Sequence, residues 1–159
     1  MACILQHSST LRLNLITMKT KIRIISIVLV SILLSCQKDE LNKDLISTKW
    51  YLQAIQDTDT QSKEMVPQNL VGMNIVFSDS SKLHAISSCN TFDGDFIVEV
   101  SGSIRISNLG TTYIYCTDSS TRLWESLFFE NLKKSSKYTI QDGVLSIQTT
   151  NNTIMIFKQ

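Results

Sequence analysis

Histidine, glycine and proline are scarce in this 159-residue chain, which has two histidines, five glycines and one proline. No glycine-rich motif that could cradle a phosphate occurs. His84 is the only histidine after residue 35, so a metal site built on a histidine pair is excluded there. Any Ser/His/Asp set would also have to use His84. We therefore expect neither an enzyme nor a cofactor.

Acidic residues are missing before Asp39, a region that carries Arg12, Lys19, Lys21 and Arg23. From Cys36 onward the balance reverses, because 11 Lys and Arg accompany 14 Asp and Glu, a net charge of −3. The formal charge of +1 thus comes from the N-terminal part. A basic surface for nucleic acid is not supported, so no nucleic-acid partner is expected.

The longest apolar run is too short to cross a membrane. It extends from Ile24 to Leu34, whereas a membrane-spanning helix needs about 20 apolar residues. The basic segment Met18–Arg23 precedes the run, as in a signal peptide, and translation could start at Met1 or at Met18. The tetrad that ends in Cys36 resembles the lipobox of bacterial lipoproteins. The alternative is a cleaved signal peptide with Cys36 merely nearby.

This resemblance divides the chain into three parts and supplies a membrane anchor. Residues 1–35 are expected to be an upstream extension and signal peptide, residues 36–44 a tether lipidated on Cys36, and residues 45–159 the folded domain. Residues Gln37, Lys38, Asp39 and Glu40 resemble the acidic signal that exports some lipoproteins to the cell surface. A plain solvated tether is the alternative. The expected location is the outer membrane, with the domain at the cell surface.

Two cysteines remain once Cys3 and Cys36 are assigned to the leader and the lipid. Cys89 and Cys116 lie 27 positions apart in a chain predicted for an oxidising compartment. A disulfide over that separation would stabilise the domain by roughly 3.5 kcal/mol. Two buried free thiols that pack as small apolar groups are the alternative.

Strand-like alternation and turn signals dominate the rest of the chain. Strands are predicted at 45–55, 74–77, 83–86, 92–100, 104–109, 138–140, 144–147 and 153–157, with a long loop at 56–69. The spacing of Leu123, Trp124, Leu127, Phe128 and Leu132 predicts one helix over 118–134. The fold class is therefore mainly β with one helix (α+β): a small, curved, barrel-like antiparallel sheet of about eight strands with the amphipathic helix packed on or across it.

The middle of the chain, from Ser88 to Phe96, combines a thiol, turn-forming residues and two aromatics. Asn90 and the Asp93-Gly94 pair suit tight turns with a left-handed backbone, whereas Phe92 and Phe96 can point inward from a strand. Asp93, Asp95 and Glu99 do not have the spacing of an EF-hand loop. We expect these acids in turns and on solvated strands.

Several of these segments together resemble the META domain of HslJ-like lipoproteins over Leu45 to Phe157. The residues that carry the resemblance are Trp50, Cys89, Asn90, Gly94, Phe96, Thr112, Cys116, Glu125 and Leu132. Ser87-Ser88 and Ile114 stand where the family pattern has glycine and methionine. The resemblance implies a compact β-rich envelope domain, linked in some members to stress or drug tolerance and without an established enzymatic activity.

Two functional hypotheses follow. The first is a non-enzymatic surface module that contacts a protein, a glycan or another envelope component through its loops. The second is a carrier or sensor that holds a small apolar ligand inside the barrel. The large aromatic side chains that need burial favour a filled interior and hence the first hypothesis.

Overall fold

A computed structural model describes residues 43–99 and 101–159. The predicted signal peptide, the lipid site at Cys36 and the export signal Gln37–Glu40 lie outside these residues. Within the described part, no helix has the length and apolar character needed to span a membrane.

The described residues form nine strands, one α-helix and a short 3-10 helix at Gln68–Leu70. The strands are β1 (Lys49–Asp57), β2 (Lys63–Met65), β3 (Asn74–Phe77), β4 (Lys82–Ile86), β5 (Thr91–Val98), β6 (Ile104–Thr111), β7 (Ser135–Gln141), β8 (Val144–Thr149) and β9 (Thr153–Lys158). The helix α1 (Ser119–Lys133) connects β6 to β7.

The strands make one antiparallel sheet in the order β6-β5-β4-β3-β1-β9-β8-β7, with β2 paired to the second half of β1. The sheet curls until its two edge strands approach each other. Ser103 forms an antiparallel bridge with Lys137, and the Tyr138 N–H donates to the Gly102 carbonyl at 2.8 Å. This is the predicted barrel-like sheet, and the fold class is confirmed.

Alternation along β1 explains why this strand can run through the centre of the sheet. Trp50, Leu52 and Ala54 are buried, while Tyr51 is exposed between the first two. The register with β9 shifts between Leu52 and Ala54, and after this bulge Ile55 is buried as well.

Helix α1 lies over the sheet through one apolar face. Trp124, Phe128 and Leu132 recur every four residues and are buried. The Phe128 ring lies 5.7 Å from Phe92 in β5 and 6.2 Å from Phe157 in β9, between ring centroids. The helix thereby joins strands that are distant in the sheet order.

Two sequence expectations for loops and turns were wrong. The predicted loop over 56–69 contains β2, a strand whose three residues are all exposed and therefore show no alternation. The Asp93-Gly94 pair, whose residue types suit a tight turn, forms none and lies within β5, inside the strand predicted over 92–100, where the register with β6 shifts. Gly94 is needed there for space, because a Cβ would lie 3.0 Å from the Ser107 carbonyl oxygen. Asp142 and Gly143, both at positive φ, form the turn between β7 and β8.

The chain enters the domain beside the end of β3. Ile46 bridges Phe77, and the Ser47 N–H donates to the Phe77 carbonyl at 2.7 Å. The turn that contains Asn90 connects β4 to β5 at the opposite end of β3 and β4. This turn is therefore on the far side of these strands from the point of entry.

Candidate functional site

The turn between β4 and β5 is stabilised by Ser87. Its N–H donates to the Asn90 carbonyl at 2.9 Å, and its hydroxyl oxygen accepts from the Asn90 N–H at 3.0 Å. Ser87 and Asn90 are both buried. These bonds bring Cys89 and Asn90 to the end of the sheet where β6 also finishes.

The Asn90 side chain pairs with the backbone of Ile114 as a neighbouring strand would. Its Oδ1 accepts from the Ile114 N–H at 2.8 Å, and its Nδ2 donates to the Ile114 carbonyl at 3.1 Å. The Thr112 hydroxyl also donates to Oδ1, at 2.7 Å. The chain that follows β6 is thus held in an extended conformation without a strand beside it.

Glu125 connects helix α1 to the same turn. One carboxylate oxygen accepts from Asn90 Nδ2 at 2.7 Å, and the other accepts from the Asn90 N–H at 3.0 Å and lies 2.8 Å from the Ser87 hydroxyl. Ser87, Asn90, Thr112 and Glu125 are called the bracing cluster below. A half-buried carboxylate that receives several hydrogen bonds is held in one position, so this group fixes the helix against the turn.

Asp118 places the start of α1. Its carboxylate accepts from the Thr121 N–H at 2.7 Å, and this bond keeps the pKa of Asp118 below its ordinary value. Such a side chain stabilises the first turn of a helix, where backbone N–H groups have no intrahelical partner. Asp118 is thus the N-cap of α1, with Ser119 as the first helical residue.

A disulfide joins Cys89 to Cys116, with their Cα atoms 6.0 Å apart. The sequence had left the bond and two free thiols as alternatives, and the structure has the bond. The sulfur atoms and a Glu125 oxygen all lie within 4.8 Å of one another. Because each sulfur is bonded to the other, these atoms do not provide thiolate ligands for a metal ion. The disulfide instead attaches the C-terminal end of the extended segment to the turn.

This support carries three exposed apolar side chains, called the exposed strip: Tyr113, Ile114 and Tyr115. They are 95%, 62% and 80% exposed. The guanidinium carbon of Arg122 lies 6.0 Å from the centroid of the Tyr115 ring. Single exposed apolar side chains are common, but adjacent ones that form a continuous surface often mark a contact site.

A cleft of about 240 Å³ lies between the exposed strip and helix α1. Thr111, Ile114 and Tyr115 line one side, and Arg122, Ser126 and Phe129 line the helical side. Phe92, Cys116 and Glu125 complete the lining. We call this the loop–helix cleft.

The residues of the family motif fall into two groups. Cys89, Asn90, Thr112, Cys116 and Glu125 meet in or beside the bracing cluster. The other four, Trp50, Gly94, Phe96 and Leu132, lie in the sheet and the core: Trp50 and Leu132 are fully buried, and Phe96 packs edge-on against Phe77 with centroids 4.9 Å apart.

The exposed acids of β5 do not converge on one point. Asp93 pairs with His84 at 2.7 Å, and Asp95 bonds Lys82 and Asn108. The Asn108 side chain, and then Lys82, lower the pKa of Asp95. Each acid therefore has its own neighbour on an exposed strand surface, as expected from the sequence.

Sequence reasoning did not single out Ser87, Arg122 or the exposure of Tyr113 and Tyr115. Ser87 stood out only as a departure from the family pattern, although its hydroxyl contacts Glu125. A signal for the exposed strip was present: Tyr113-Ile114-Tyr115 is a continuous apolar run outside any predicted strand or helix. Such runs lie either in the core or on a contact surface, and only the fold decides between them.

Comparison with known proteins places the domain in a family. The family model described as "META domain" matches residues 43–159, which is 117 of the 159 residues. Comparison with curated proteins finds no match.

Solved structures share the fold at low identity. A protein from Burkholderia xenovorans, solved by NMR, has a TM-score of 0.61 and 20% identity, over 72% of this chain and 82% of that one. A crystal structure of a DUF4847 family protein from Bacteroides vulgatus has a TM-score of 0.55 and 16% identity, over 74% and 95% of the two chains. At such identities the similarity concerns the fold alone. The family-model match covers most of the sequence, and the chain therefore belongs to the META domain family.

Proposed function

We propose that this protein is a lipid-anchored, non-enzymatic binding module of the bacterial envelope, which contacts its partner through the exposed strip and the loop–helix cleft. The observation that carries the proposal is the exposed strip itself. Tyr113 and Tyr115 are 95% and 80% exposed, yet the segment is held by a disulfide and by the Asn90 side chain. Aromatic side chains are common anchors of interfaces, and a backbone that is already held in place loses less conformational entropy on binding.

The chemistry of the site favours binding over catalysis. The carboxylate of Glu125 is engaged by Asn90 and Ser87, and the Asn90 amide is engaged by Ile114 and Thr112. A general acid or base must exchange a proton with a substrate, which a carboxylate bound to its own fold in this way is poorly placed to do. These groups support the surface beside them.

The filled interior favours the surface module over a carrier of small apolar ligands. Trp50, Phe77, Phe92, Phe128 and Phe157 are at most 1% exposed and lie in one core cluster. Side chains thus occupy the space that an internal ligand would need. We expect no saturable binding of an apolar dye, and displacement of the dye from a single internal site would favour the carrier.

The anchoring half of the proposal rests on the lipobox-like tetrad and the acidic segment after it. We expect Cys36→Ala to prevent incorporation of a fatty-acid analogue, and unchanged labelling would remove the lipoprotein proposal. Replacing Lys38, Asp39 and Glu40 by alanine should leave the protein lipidated but protected from protease on whole cells. Equal protease accessibility of the two proteins would remove the surface-export proposal.

The binding half is tested by cross-linking on intact cells. The wild-type lipoprotein should give a discrete cross-linked product that a Tyr113→Ser/Tyr115→Ser double variant loses. Ile97→Ser is the control, because Ile97 on β5 is a large apolar residue outside the exposed strip that is 62% exposed. A product that persists in the double variant, or disappears equally in the control, would contradict binding through the exposed strip.

A further inference from the structure

The extended segment after β6 has one paired edge and one open edge. The Thr112 N–H donates to the Thr91 carbonyl at 3.2 Å, and Ile114 bonds the Asn90 side chain through both its N–H and its C=O. In an extended chain the backbone N–H and C=O groups of successive residues point to opposite sides, so those of every second residue share one side. Those of Tyr113 and Tyr115 therefore face away from Asn90, and they have no hydrogen-bond partner among the described residues.

The loop–helix cleft lies along this segment, with helix α1 opposite. Arg122, Ser126 and Phe129 line the cleft at spacings of four and three residues, which places them on one helical face. Phe129 packs on Phe92 with ring centroids 5.1 Å apart, giving the cleft an apolar wall. The cleft thus offers room for an apolar side chain beside the extended segment.

The two charged side chains that line the cleft, Glu125 and Arg122, differ in how far their hydrogen-bonding groups are used. Glu125 already receives hydrogen bonds from Asn90 and Ser87, whereas Arg122 uses only one nitrogen, Nη1, to reach the Cys116 and Thr117 carbonyls at 2.8 Å. The charge of Arg122 also contributes to lowering the pKa of Asp118, but the other guanidinium N–H groups have no hydrogen-bond partner among the described residues. The cleft therefore offers free guanidinium donors, which suit a carboxylate, beside an apolar wall.

From these three observations we infer that the site binds an extended peptide segment of another protein by strand addition. The peptide pairs with Tyr113 and Tyr115, directs an apolar side chain into the cleft and carries an acidic residue toward Arg122. Free N–H and C=O groups at alternate residues are the complement of a second β-strand, in which main-chain bonds supply affinity and side-chain contacts supply specificity. This inference rests on the proposed function, because it names the class of partner for the same site.

Two other occupants fit less well. A second copy that paired through the same segment would bring no acidic residue to Arg122, because residues 112–117 contain none. The chain's own N-terminal segment enters beside Phe77, at the end of β3 and β4 opposite the Asn90 turn. A separate polypeptide therefore remains.

The experiment uses the full-length lipoprotein in detergent as bait for a displayed library of random 12-residue peptides. Selected peptides should alternate apolar and polar residues and include an acid. The best of them is then synthesised and titrated against wild type, Tyr113→Pro and Tyr113→Ala. Both variants lose the ring, but only proline also removes the outward N–H, while the extended Thr112 before it tolerates proline. We expect binding to Tyr113→Pro to be about tenfold weaker than to Tyr113→Ala.

A second measurement leaves the protein unchanged. N-methylation of alternate amides in the peptide should abolish binding in one register and spare it in the other, because only one set of amides faces Tyr113 and Tyr115. Equal affinities of Tyr113→Pro and Tyr113→Ala, together with no effect of N-methylation, would overturn strand addition.

The other outcomes are also decisive. If no peptide is enriched while cross-linking on cells still depends on Tyr113 and Tyr115, the partner is not a peptide: the inference fails and the proposed function stands. If cross-linking is indifferent to the exposed strip, the proposed function fails by a separate result. A concentration-dependent dimer that Tyr113→Pro abolishes would identify a second copy as the occupant and overturn the inference.

Discussion

Asn90→Ala is the substitution that best tests how the site is held together. The Asn90 side chain bonds Ile114 twice, Thr112 once and Glu125 once, at 2.7 to 3.1 Å. Water can replace the two bonds to Ile114, which is exposed. Water replaces the lost hydrogen bond to the half-buried Glu125 carboxylate less easily. Hydrogen bonds to charged groups contribute about 1.5–3 kcal/mol and neutral ones about 1 kcal/mol.

The expected decrease in the free energy of unfolding is about 3 kcal/mol, dominated by the bonds to Glu125 and Thr112. For a domain of this size the melting temperature should fall by roughly 12 °C. Urea unfolding with the disulfide intact measures the effect, because the covalent link then constrains wild type and variant equally. Ser88→Ala is the control: Ser88 is the exposed neighbour on the same turn, and its loss should stay within about 0.5 kcal/mol.

A double-mutant cycle that combines Asn90→Ala with Glu125→Ala measures how much the interaction between these two side chains contributes to the unfolding free energy. If the two side chains stabilise the fold through each other, the combined loss should be smaller than the sum of the single losses by about 1–2 kcal/mol. Additive losses, or an Asn90→Ala effect below about 1 kcal/mol, would refute the claim that the bracing cluster holds helix α1 to the turn.

Three further perturbations address other parts of the domain. Reduction of the Cys89–Cys116 disulfide should lower the unfolding free energy by roughly 3 kcal/mol, and thermal unfolding with and without reductant measures this change. If Cys89 and Cys116 can both be alkylated in the unreduced protein, the bond is contradicted. Gly94→Ala should lower the unfolding free energy measured in urea by about 1–3 kcal/mol, because the new Cβ would lie 3.0 Å from a backbone carbonyl oxygen. Gly110→Ala is the control and should have little effect, because the atom nearest to its Cβ would be 4.0 Å away. Equal losses in the two variants would argue against the steric explanation. Asp118→Ala should lower the melting temperature at neutral pH. Since folding lowers the pKa of Asp118, the difference in melting temperature between variant and wild type should be complete above the ordinary Asp pKa of about 3.9. This difference should disappear as the pH falls through the lower pKa of the folded state. A difference in melting temperature that does not depend on pH would contradict the capping role.

The disulfide and the bracing cluster act on the same segment from different points. The disulfide fixes its end at Cys116, and Asn90 pairs with its middle at Ile114. With both in place, the exposed strip projects from a backbone that is already extended. A binding partner would then not have to order it, which is how rigid surfaces gain affinity.

The sequence by itself determined the periodic parts of the fold. Alternation in β1 and the four-residue spacing of Trp124, Phe128 and Leu132 arise from the pleat of a strand and the pitch of a helix, so they are written locally in the chain. Turn signals such as Asp142-Gly143 are local for the same reason, because few residues tolerate positive φ. These local rules sufficed for a curved antiparallel sheet with one helix. They failed at β2, whose exposed residues carry no period, and at Gly94, where the space left by β6 decides the residue.

Only the tertiary structure decided which residues meet. Asn90 and Glu125 are 35 positions apart, and their contact depends on how α1 crosses the sheet. The sequence allowed Cys89 and Cys116 to be bonded or free, since a disulfide requires Cα atoms at a distance that only the fold sets. The exposure of Tyr113 and Tyr115 was equally hidden, because an apolar run becomes core or surface according to what packs against it. Local periodicity is encoded by neighbouring residues, whereas a site depends on distances between segments that lie far apart in the chain.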